Sequence, residues 1–143
     1  MLPSEKASED PIRVLYVDDE PDQQEILKAC VEDEDNGIRV NSVLLLKDSR
    51  NMIKGYDLVI LDHQMPLISG LELLKEIRKC SDIPVIFYTG CKNSGIEAEA
   101  FSAGVNAYLK KECNLEQYRK ITNTIRRMVA EYRVKKRSEI LSK

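Results

Sequence analysis

Five short apolar segments recur along the chain, with helical patterns between them. Three of these segments are nearly continuous hydrophobic runs in which apolar and polar residues do not alternate. Such runs are typical of parallel strands that are buried on both faces. The pattern predicts five strands, IRVLYV (12–17), IRVNSVLL (38–45), DLVIL (57–61), IPVIFY (83–88) and AYLK (107–110).

The segments between these strands carry apolar residues at the spacing of helices. Pro21 stands at the start of the first one, where its missing N–H has no helical partner to lose. The predicted helices cover 22–31, 70–79, 94–103 and 115–133, with a weaker one at 46–55. Strands that alternate with helices imply βαβ crossovers and a parallel sheet covered on both faces. The sequence therefore predicts a three-layer α/β domain.

Length and composition narrow the class of protein. The 143 residues suffice for one domain, and 43% hydrophobic with 32% charged residues is the composition of a soluble folded chain. No apolar stretch is long enough to cross a membrane, and the polar, acidic residues 1–10 predict a disordered lead-in and not a signal peptide. We expect a cytoplasmic protein. Its four cysteines form no CxxC pair and its one histidine is His63, which favours reduced thiols over a zinc site.

The small net charge of −2 hides an uneven distribution along the chain. Residues 1–35 hold twelve Asp and Glu against three Lys and Arg, whereas residues 126–143 hold seven Lys and Arg against two Glu. The acidic end is a candidate cation site and the basic end a candidate contact surface. No recognition motif accompanies the basic run, so nucleic-acid binding is not expected.

The residues that follow the predicted strands supply the candidate chemistry, because functional groups in open α/β sheets gather at the carboxyl ends of the strands. Strand 1 runs into 18–20 (DDE), strand 3 into Asp62, strand 4 into Thr89 and strand 5 into 110–111 (KK). Grouped carboxylates repel one another unless a cation lies between them. Oxygen-only ligands of this kind point to Mg²⁺.

A metal alone does not account for the hydroxyl of Thr89 and the ammonium group at the end of strand 5. A phosphoryl group does, since both can bind its oxygens while Mg²⁺ offsets the developing charge. The carboxylate of aspartate is a recognised nucleophile in phosphoryl transfer. Asp62, at the centre of the set, is then the candidate acceptor.

In this order and at these spacings, the motifs resemble the receiver domain of two-component response regulators. They are DDE at 18–20, Asp62 followed by Met65-Pro66 and Gly70, Thr89-Gly90, and YLKK at 108–111. The resemblance covers roughly residues 11–133. It implies a doubly wound, flavodoxin-like, five-stranded parallel sheet of strand order 2-1-3-4-5 with an extended C-terminal helix. Residues 134–143 would form a basic helical extension or a linker.

The resemblance also implies how the chain would hold Mg²⁺. Asp19 would be the principal side-chain ligand, and Asp18 would help to hold the ion through water. Asp62 would be both ligand and phospho-acceptor, and the backbone carbonyl of Gln64 would be a further ligand.

Further roles follow from the same resemblance. Thr89 would be the switch hydroxyl that binds the phosphoryl group, and Tyr108 the aromatic residue whose rotamer reports the state. Lys111, and not Lys110, would be the phosphate-binding lysine. Gln64 and Cys91 occupy the positions that tune attack of water on the phosphoryl group, and the sequence leaves open whether Gln64 positions or excludes that water.

One position departs from the family pattern. Glu112 stands where a proline preceded by a cis peptide usually follows the lysine. A cis bond before a residue other than proline is costly, so either strain is stored there or the loop has another shape.

The function implied is a signalling domain and not an enzyme with turnover of its own. A histidine kinase or phosphotransfer protein would donate phosphate to Asp62, and the response of Thr89 and Tyr108 would alter the surface of helix 4, strand 5 and helix 5 for a downstream protein effector. The chain could also be the excised receiver of a larger sensor kinase or regulator, or a receiver-like module that takes no phosphate. A phosphohydrolase of the haloacid-dehalogenase type is disfavoured, because those enzymes carry an early DxDx[TV] motif where strand 1 here reads VDDEPD.

A second copy of the chain is another possible partner. Ile121, Ile125, Met128 and Tyr132 follow the 4-3-4 spacing of a coiled-coil seam. A C-terminal helix extended to about residue 137 could pair with another copy or lead into a downstream module. The face of helix 4, strand 5 and helix 5 is the alternative dimer surface.

Overall fold

The computed structural model describes residues 10–44, 47–64, 68–90 and 94–142. Within these ranges strands and helices alternate along the chain. The elements are β1 (Ile12–Val17), α1 (Pro21–Glu34), β2 (Ile38–Val43), α2 (Ser49–Met52), β3 (Leu58–Leu61), α3 (Gly70–Arg78), β4 (Val85–Thr89), α4 (Ser94–Ser102), β5 (Ala107–Lys110) and α5 (Leu115–Leu141).

The strands form one parallel sheet in the order β2-β1-β3-β4-β5, which confirms the predicted fold class. At the carboxyl end, Val17 of β1 lies level with Val43 of β2 and Leu61 of β3. On the other side of β3, Thr89 lies level with Lys110. This register brings the loops after β1, β3, β4 and β5 to one edge of the sheet.

Each face of the sheet carries its own hydrophobic core. On β1, Val14 and Tyr16 pack into the core covered by α1 and α5. Leu15 and Val17 pack into the opposite core, which α2, α3 and α4 cover. All four residues of β3 are buried. Burial on both faces is the reason why the central strands are continuous hydrophobic runs in the sequence.

Several elements end at other residues than predicted. The second strand stops at Val43, and the weak helix predicted over 46–55 is reduced to Ser49–Met52, where the Asp48 side chain accepts a hydrogen bond from the Asn51 amide. The fourth strand starts at Val85 and continues through Thr89, so Thr89 is the last strand residue and not the first residue of the loop.

Helix α5 is longer than predicted, and it uses the 4-3-4 positions differently. It continues to Leu141 instead of ending near residue 133 or 137. Ile121 and Ile125 are buried in the core of their own domain, and Met128 packs against that core. Tyr132 is hydrogen-bonded to the loop before β4. The spacing marks the face of the helix that packs on the sheet, so its interpretation as a seam for a second copy is wrong.

Two further predictions concern membrane-spanning helices and the state of the cysteines. Among the described helices, none combines the length with the apolar character that a membrane crossing needs. Cys30, Cys80 and Cys113 are free thiols.

Candidate functional site

Four carboxylates meet at the carboxyl edge of the sheet. Asp18, Asp19 and Glu20 follow β1 and Asp62 follows β3. One carboxylate oxygen from each of the four residues lies within 4.8 Å of those from the other three. Asp18 and Asp62 are buried, whereas Asp19 and Glu20 are exposed. The parallel register of β1 and β3 causes this convergence, because Val17 and Leu61 end their strands at the same level. The cluster predicted from the strand ends is therefore present.

Lys111 reaches into the carboxylate cluster from the end of β5. Its Nζ lies 2.7 Å from Asp18 Oδ2, 3.1 Å from Asp62 Oδ2 and 3.2 Å from Glu20 Oε1. Its backbone N–H donates to the carbonyl of Thr89, which fixes Lys111 beside β4. The side chain of Lys110 is exposed. The choice of Lys111 over Lys110 thus agrees with the geometry.

The electrostatics of the site are dominated by burial and by unequal charge. Burial raises the pKa of Asp62, although the ammonium of Lys111 and the amide of Gln64 work in the other direction. Burial disfavours the charged form of Lys111, but its contacts with Asp18 and Asp62 outweigh this and raise its pKa. Among the described residues, the ammonium group of Lys111 contacts three of the four clustered carboxylates. This excess of hard, anionic oxygen atoms fits a Mg²⁺ ion.

The carboxylate of Asp18 has partners on both of its oxygens. Its Oδ2 accepts a hydrogen bond from the Tyr16 hydroxyl at 2.6 Å and also contacts Lys111, while its Oδ1 accepts from the Glu20 amide at 3.0 Å. The Gln24 side chain donates to the backbone carbonyl of Asp18 at 2.9 Å. Asp18 is held by the protein on both oxygens, whereas Asp19 is exposed.

Sequence reasoning missed Tyr16 and did not assign a role to Glu20. The hydroxyl pKa of Tyr16 is raised far above its ordinary value by burial and by Asp18, so the group stays a neutral donor. The signal that could have found Tyr16 is its position two residues before Asp18, which places both on the same face of a strand.

The loop that leaves Asp62 is shaped by Gly70. The Gly70 amide donates to the carbonyl of His63 at 2.9 Å, and a Cβ at Gly70 would lie 2.5 Å from the carbonyl oxygen of Asp62. Ser69 caps α3 by accepting from the Glu72 amide. Glycine is therefore required for the backbone to pass so close to the candidate acceptor. Residues 65–67, which include Met65-Pro66 of the family pattern, lie outside the described residues.

The two candidate switch residues are both buried. Thr89 is fully buried at the end of β4, and Tyr108 on β5 is 6% exposed, with its ring 5.9 Å from that of Phe87. Gln64 is exposed next to the site. Cys91, predicted to tune the phosphoryl lifetime, lies outside the described residues.

The loop after Lys111 resolves the alternatives left open at Glu112. No cis peptide bond occurs in the described residues, so this loop takes the other shape. The Gln117 side chain donates to the carbonyl of Lys110, and Asn114 caps α5 by accepting from the Gln117 amide. These contacts tie the start of α5 to the strand that presents Lys111.

Known proteins resemble the chain over most of its length. A family model described as the response regulator receiver domain matches residues 14–123. The protein named "Uncharacterized transcriptional regulatory protein YrkP" of Bacillus subtilis is 32% identical over 133 residues, which are 89% of this chain and 54% of that protein. Transcriptional regulatory protein TrcR of Mycobacterium tuberculosis is 30% identical over 78% of this chain and 44% of that protein. The chain thus spans about half the length of these relatives.

Solved structures give the same result. The beryllofluoride-activated NtrC4 receiver domain dimer aligns with a TM-score of 0.72 at 29% identity, over 84% of this chain and 98% of that one. A CheY-like receiver domain protein of Methanospirillum hungatei aligns with a TM-score of 0.71 at 25% identity, over 85% and 98%. The likeness extends over the sheet and the helices that surround it.

Proposed function

This chain belongs to the response regulator receiver domain family, and on that basis we propose that it accepts a phosphoryl group on Asp62 with the help of Mg²⁺. Receiver domains act in two-component signalling. The observation that carries the proposal is the cluster of Asp18, Asp19, Glu20 and Asp62 around the Lys111 ammonium group. This arrangement supplies a nucleophile, a cation site and a fixed positive charge at one edge of the sheet.

The residues present fit the metal that the family implies. Asp19 and Asp62 would be the side-chain ligands of Mg²⁺, with the backbone carbonyl of Gln64 as a further ligand. Asp18, whose oxygens already accept hydrogen bonds from Tyr16 and the Glu20 amide, would act on the ion through water. When bound, Mg²⁺ supplies charge stabilisation to the phosphoryl oxygens.

The protein residues then perform the transfer. An oxygen of Asp62 forms a bond to phosphorus while the P–N bond of a donor phosphohistidine breaks, and the electron pair of that bond stays on the imidazole nitrogen. Lys111, now paired with carboxylates, binds an oxygen of the transferred group. The donor is a histidine kinase or a phosphotransfer protein, and the domain has no turnover beyond its own phosphorylation and dephosphorylation.

The buried switch residues connect the site to a surface. We expect the Thr89 hydroxyl to bind the phosphoryl group and the Tyr108 ring to move with Thr89. Thr89 ends β4, and Tyr108 lies on β5, which pairs with β4. That movement would change the face formed by α4, β5 and α5. Phe101, which belongs to α4, is 47% exposed. A downstream effector or a second copy would bind there, and the beryllofluoride-activated NtrC4 receiver domain is itself a dimer.

The remaining assignments belong to the same proposal. Gln64 and Cys91 would set the lifetime of the phosphoryl group. Residues 11–133 would be the receiver domain and 134–143 a basic extension, in a cytoplasmic protein. Since the chain spans about half of its curated relatives, it could act as the receiver part of a larger regulator.

Labelling with a small phosphodonor tests the proposal. Wild-type protein should incorporate phosphate from phosphoramidate or acetyl phosphate only when Mg²⁺ is present, and Asp62→Asn should abolish incorporation because the nucleophile is gone. Asp57→Asn, a carboxylate at the opposite edge of the sheet, is the matched control and should label like wild type. Undiminished labelling of Asp62→Asn would refute the assignment.

A further inference from the structure

Tyr16 is a fully buried polar residue whose hydroxyl contacts the cation site from within the hydrophobic core. Its ring packs in the core under α1 and α5, with its centroid 6.3 Å from that of Tyr88. The hydroxyl donates to Asp18 Oδ2 at 2.6 Å. A side chain that is apolar along its body and polar at its tip thus links the core to the carboxylate cluster.

The contact depends on the spacing of the two residues along β1. Residues two apart on a strand face the same side, and their Cα atoms are separated by about 6.6 Å, a distance comparable to the length of a tyrosine side chain. Val14 lies two residues before Tyr16 on the same face of β1, but its side chain is too short to reach Asp18 and carries no hydrogen-bond donor. Tyrosine at position 16 is therefore suited to place a donor at Asp18 without entering the solvent-facing side of the site.

Asp18 has two other partners, of which one also contacts other carboxylates and the other binds a different oxygen of Asp18. Lys111 Nζ contacts Asp18 Oδ2 but divides its charge among Asp18, Glu20 and Asp62. The Glu20 amide binds the other oxygen, Oδ1. In the proposed function Lys111 would turn to a phosphoryl group, and of the two described partners of Oδ2 the Tyr16 hydroxyl would then stay in place. A fully buried carboxylate needs such a donor to remain in a fixed orientation.

We propose that Tyr16 is a positioning residue of the Mg²⁺ site, which acts by holding the Asp18 carboxylate in the orientation that supports the ion. This inference rests on the proposed function. Partners of this kind, which orient a metal-supporting group without touching the metal, typically change metal affinity by about 10–100-fold when removed. Tyr16→Phe deletes only the hydroxyl and keeps the ring against Tyr88, so the core packing is retained.

Calorimetric titration with MgCl₂ tests the inference in a double-mutant cycle. Tyr16→Phe should weaken Mg²⁺ binding by about tenfold or more in the wild-type background. In the Asp18→Asn background the same change should have little effect, since the group that Tyr16 orients is altered. Tyr88→Phe removes a neighbouring hydroxyl that makes no hydrogen bond to Asp18 within the described part of the chain, and this variant should bind Mg²⁺ like wild type.

The possible outcomes distinguish a failure of the positioning role of Tyr16 from a failure of the proposed function. Wild-type affinity in a folded Tyr16→Phe variant, or an equal loss in the Asp18→Asn background, would overturn the positioning role while leaving phosphorylation of Asp62 intact. Failure of the wild-type protein to bind Mg²⁺ would overturn both. If Tyr16→Phe did not fold, ¹³C NMR of Tyr16 Cζ in the wild-type protein would decide: the hydrogen bond should persist with Mg²⁺ and beryllofluoride bound, and its loss would refute the role.

Discussion

The two edges of the sheet both carry clusters of charge, but they handle it in opposite ways. At the carboxyl edge, the Lys111 ammonium group contacts three of four clustered carboxylates, and Asp18 and Asp62 are buried. At the opposite edge, Asp82 accepts a hydrogen bond from Tyr132 at 2.8 Å and pairs with Lys136 at 2.9 Å and Lys135 at 3.5 Å. The side chains of Asp82, Lys135 and Lys136 are 40–58% exposed, and each charge has a partner of opposite sign, since Lys136 also pairs with Glu139 at 3.4 Å.

The pKa values of the two aspartates reflect this difference. Burial raises the pKa of Asp62 at the carboxyl edge. At the opposite edge, the Lys136 ammonium lowers the pKa of Asp82 to about 2. A carboxylate whose charged form is destabilised by the fold is a candidate for chemistry. A carboxylate whose charged form is stabilised by ion pairs has a structural role. The opposite edge anchors the long α5 to the loop before β4, and the carboxyl edge keeps an excess of negative charge for a cation.

The largest effect on stability should come from Lys111→Met. The substitution leaves Asp18 and Asp62 buried without their counter-ion, and breaking such a buried pair costs about 3 kcal/mol. Urea unfolding without divalent ions measures the loss. Lys110→Met, at the exposed neighbouring position, should change the free energy of unfolding by less than about 0.5 kcal/mol. Equal stability of the two variants would show that the carboxylates do not depend on Lys111.

Gly70→Ala should have the next largest effect on stability, because the added methyl group would clash with the backbone of Asp62 and His63. The new Cβ would lie 2.5 Å from the Asp62 carbonyl oxygen and 2.8 Å from His63 Cα, so the loop must shift. We expect a loss of about 2 kcal/mol together with slower phosphorylation of Asp62. Gly90→Ala is the matched control at the same edge, since nothing lies within 4 Å of its added Cβ. An unchanged labelling rate in Gly70→Ala would contradict the requirement for a close backbone approach.

The smallest effects come from Asp→Asn substitutions, and their signs should differ between the edges. Asp62→Asn should stabilise the protein without Mg²⁺, because the raised pKa means that the folded state disfavours the ionised carboxylate at neutral pH. Asp82→Asn should destabilise it by less than about 1 kcal/mol, as expected for an exposed ion pair. The same sign at both edges, measured by urea unfolding at pH 7, would remove the distinction.

The pH dependence of the Asp82 contribution follows from its lowered pKa. A folded-state pKa of about 2 lies below the ordinary 3.8, so the contribution is present above about pH 4 and is lost as the pH falls toward 2. The difference in unfolding free energy between wild type and Asp82→Asn should therefore shrink over this interval. A difference that stays constant from pH 6 to pH 2 would contradict the ion-pair origin.

Much of the fold and of the carboxylate cluster could be predicted because the sequence encodes them locally. Burial on both faces makes β1, β3 and β4 visible as hydrophobic runs, and parallel strands bring their carboxyl ends together whatever the loops contain. The prediction of Lys111 came from a family pattern, and the structure places its ammonium in the cluster.

The rest depends on contacts between distant residues. Asp82 bonds to Tyr132 and Lys136 in the part of α5 near and beyond the predicted end, and an exposed, charged helix end gives no periodic apolar signal. The 4-3-4 spacing of α5 does not distinguish a core-facing stripe from a coiled-coil seam, because the two patterns are alike over two turns. The sequence does not reveal the role of Tyr16, because tyrosine is common in strands and the partner of its hydroxyl is visible only in the structure.

Chemical trapping of the phosphorylated residue tests the central claim most directly. Wild-type protein is incubated with phosphoramidate and Mg²⁺, reduced with borohydride, which converts an aspartyl phosphate to homoserine, and digested for peptide mass spectrometry. We predict homoserine at position 62 only, and none when Mg²⁺ is replaced by a chelator. Homoserine at Asp18 or Asp19, or phosphate incorporated without any change at Asp62, would contradict the assignment of Asp62 as the acceptor.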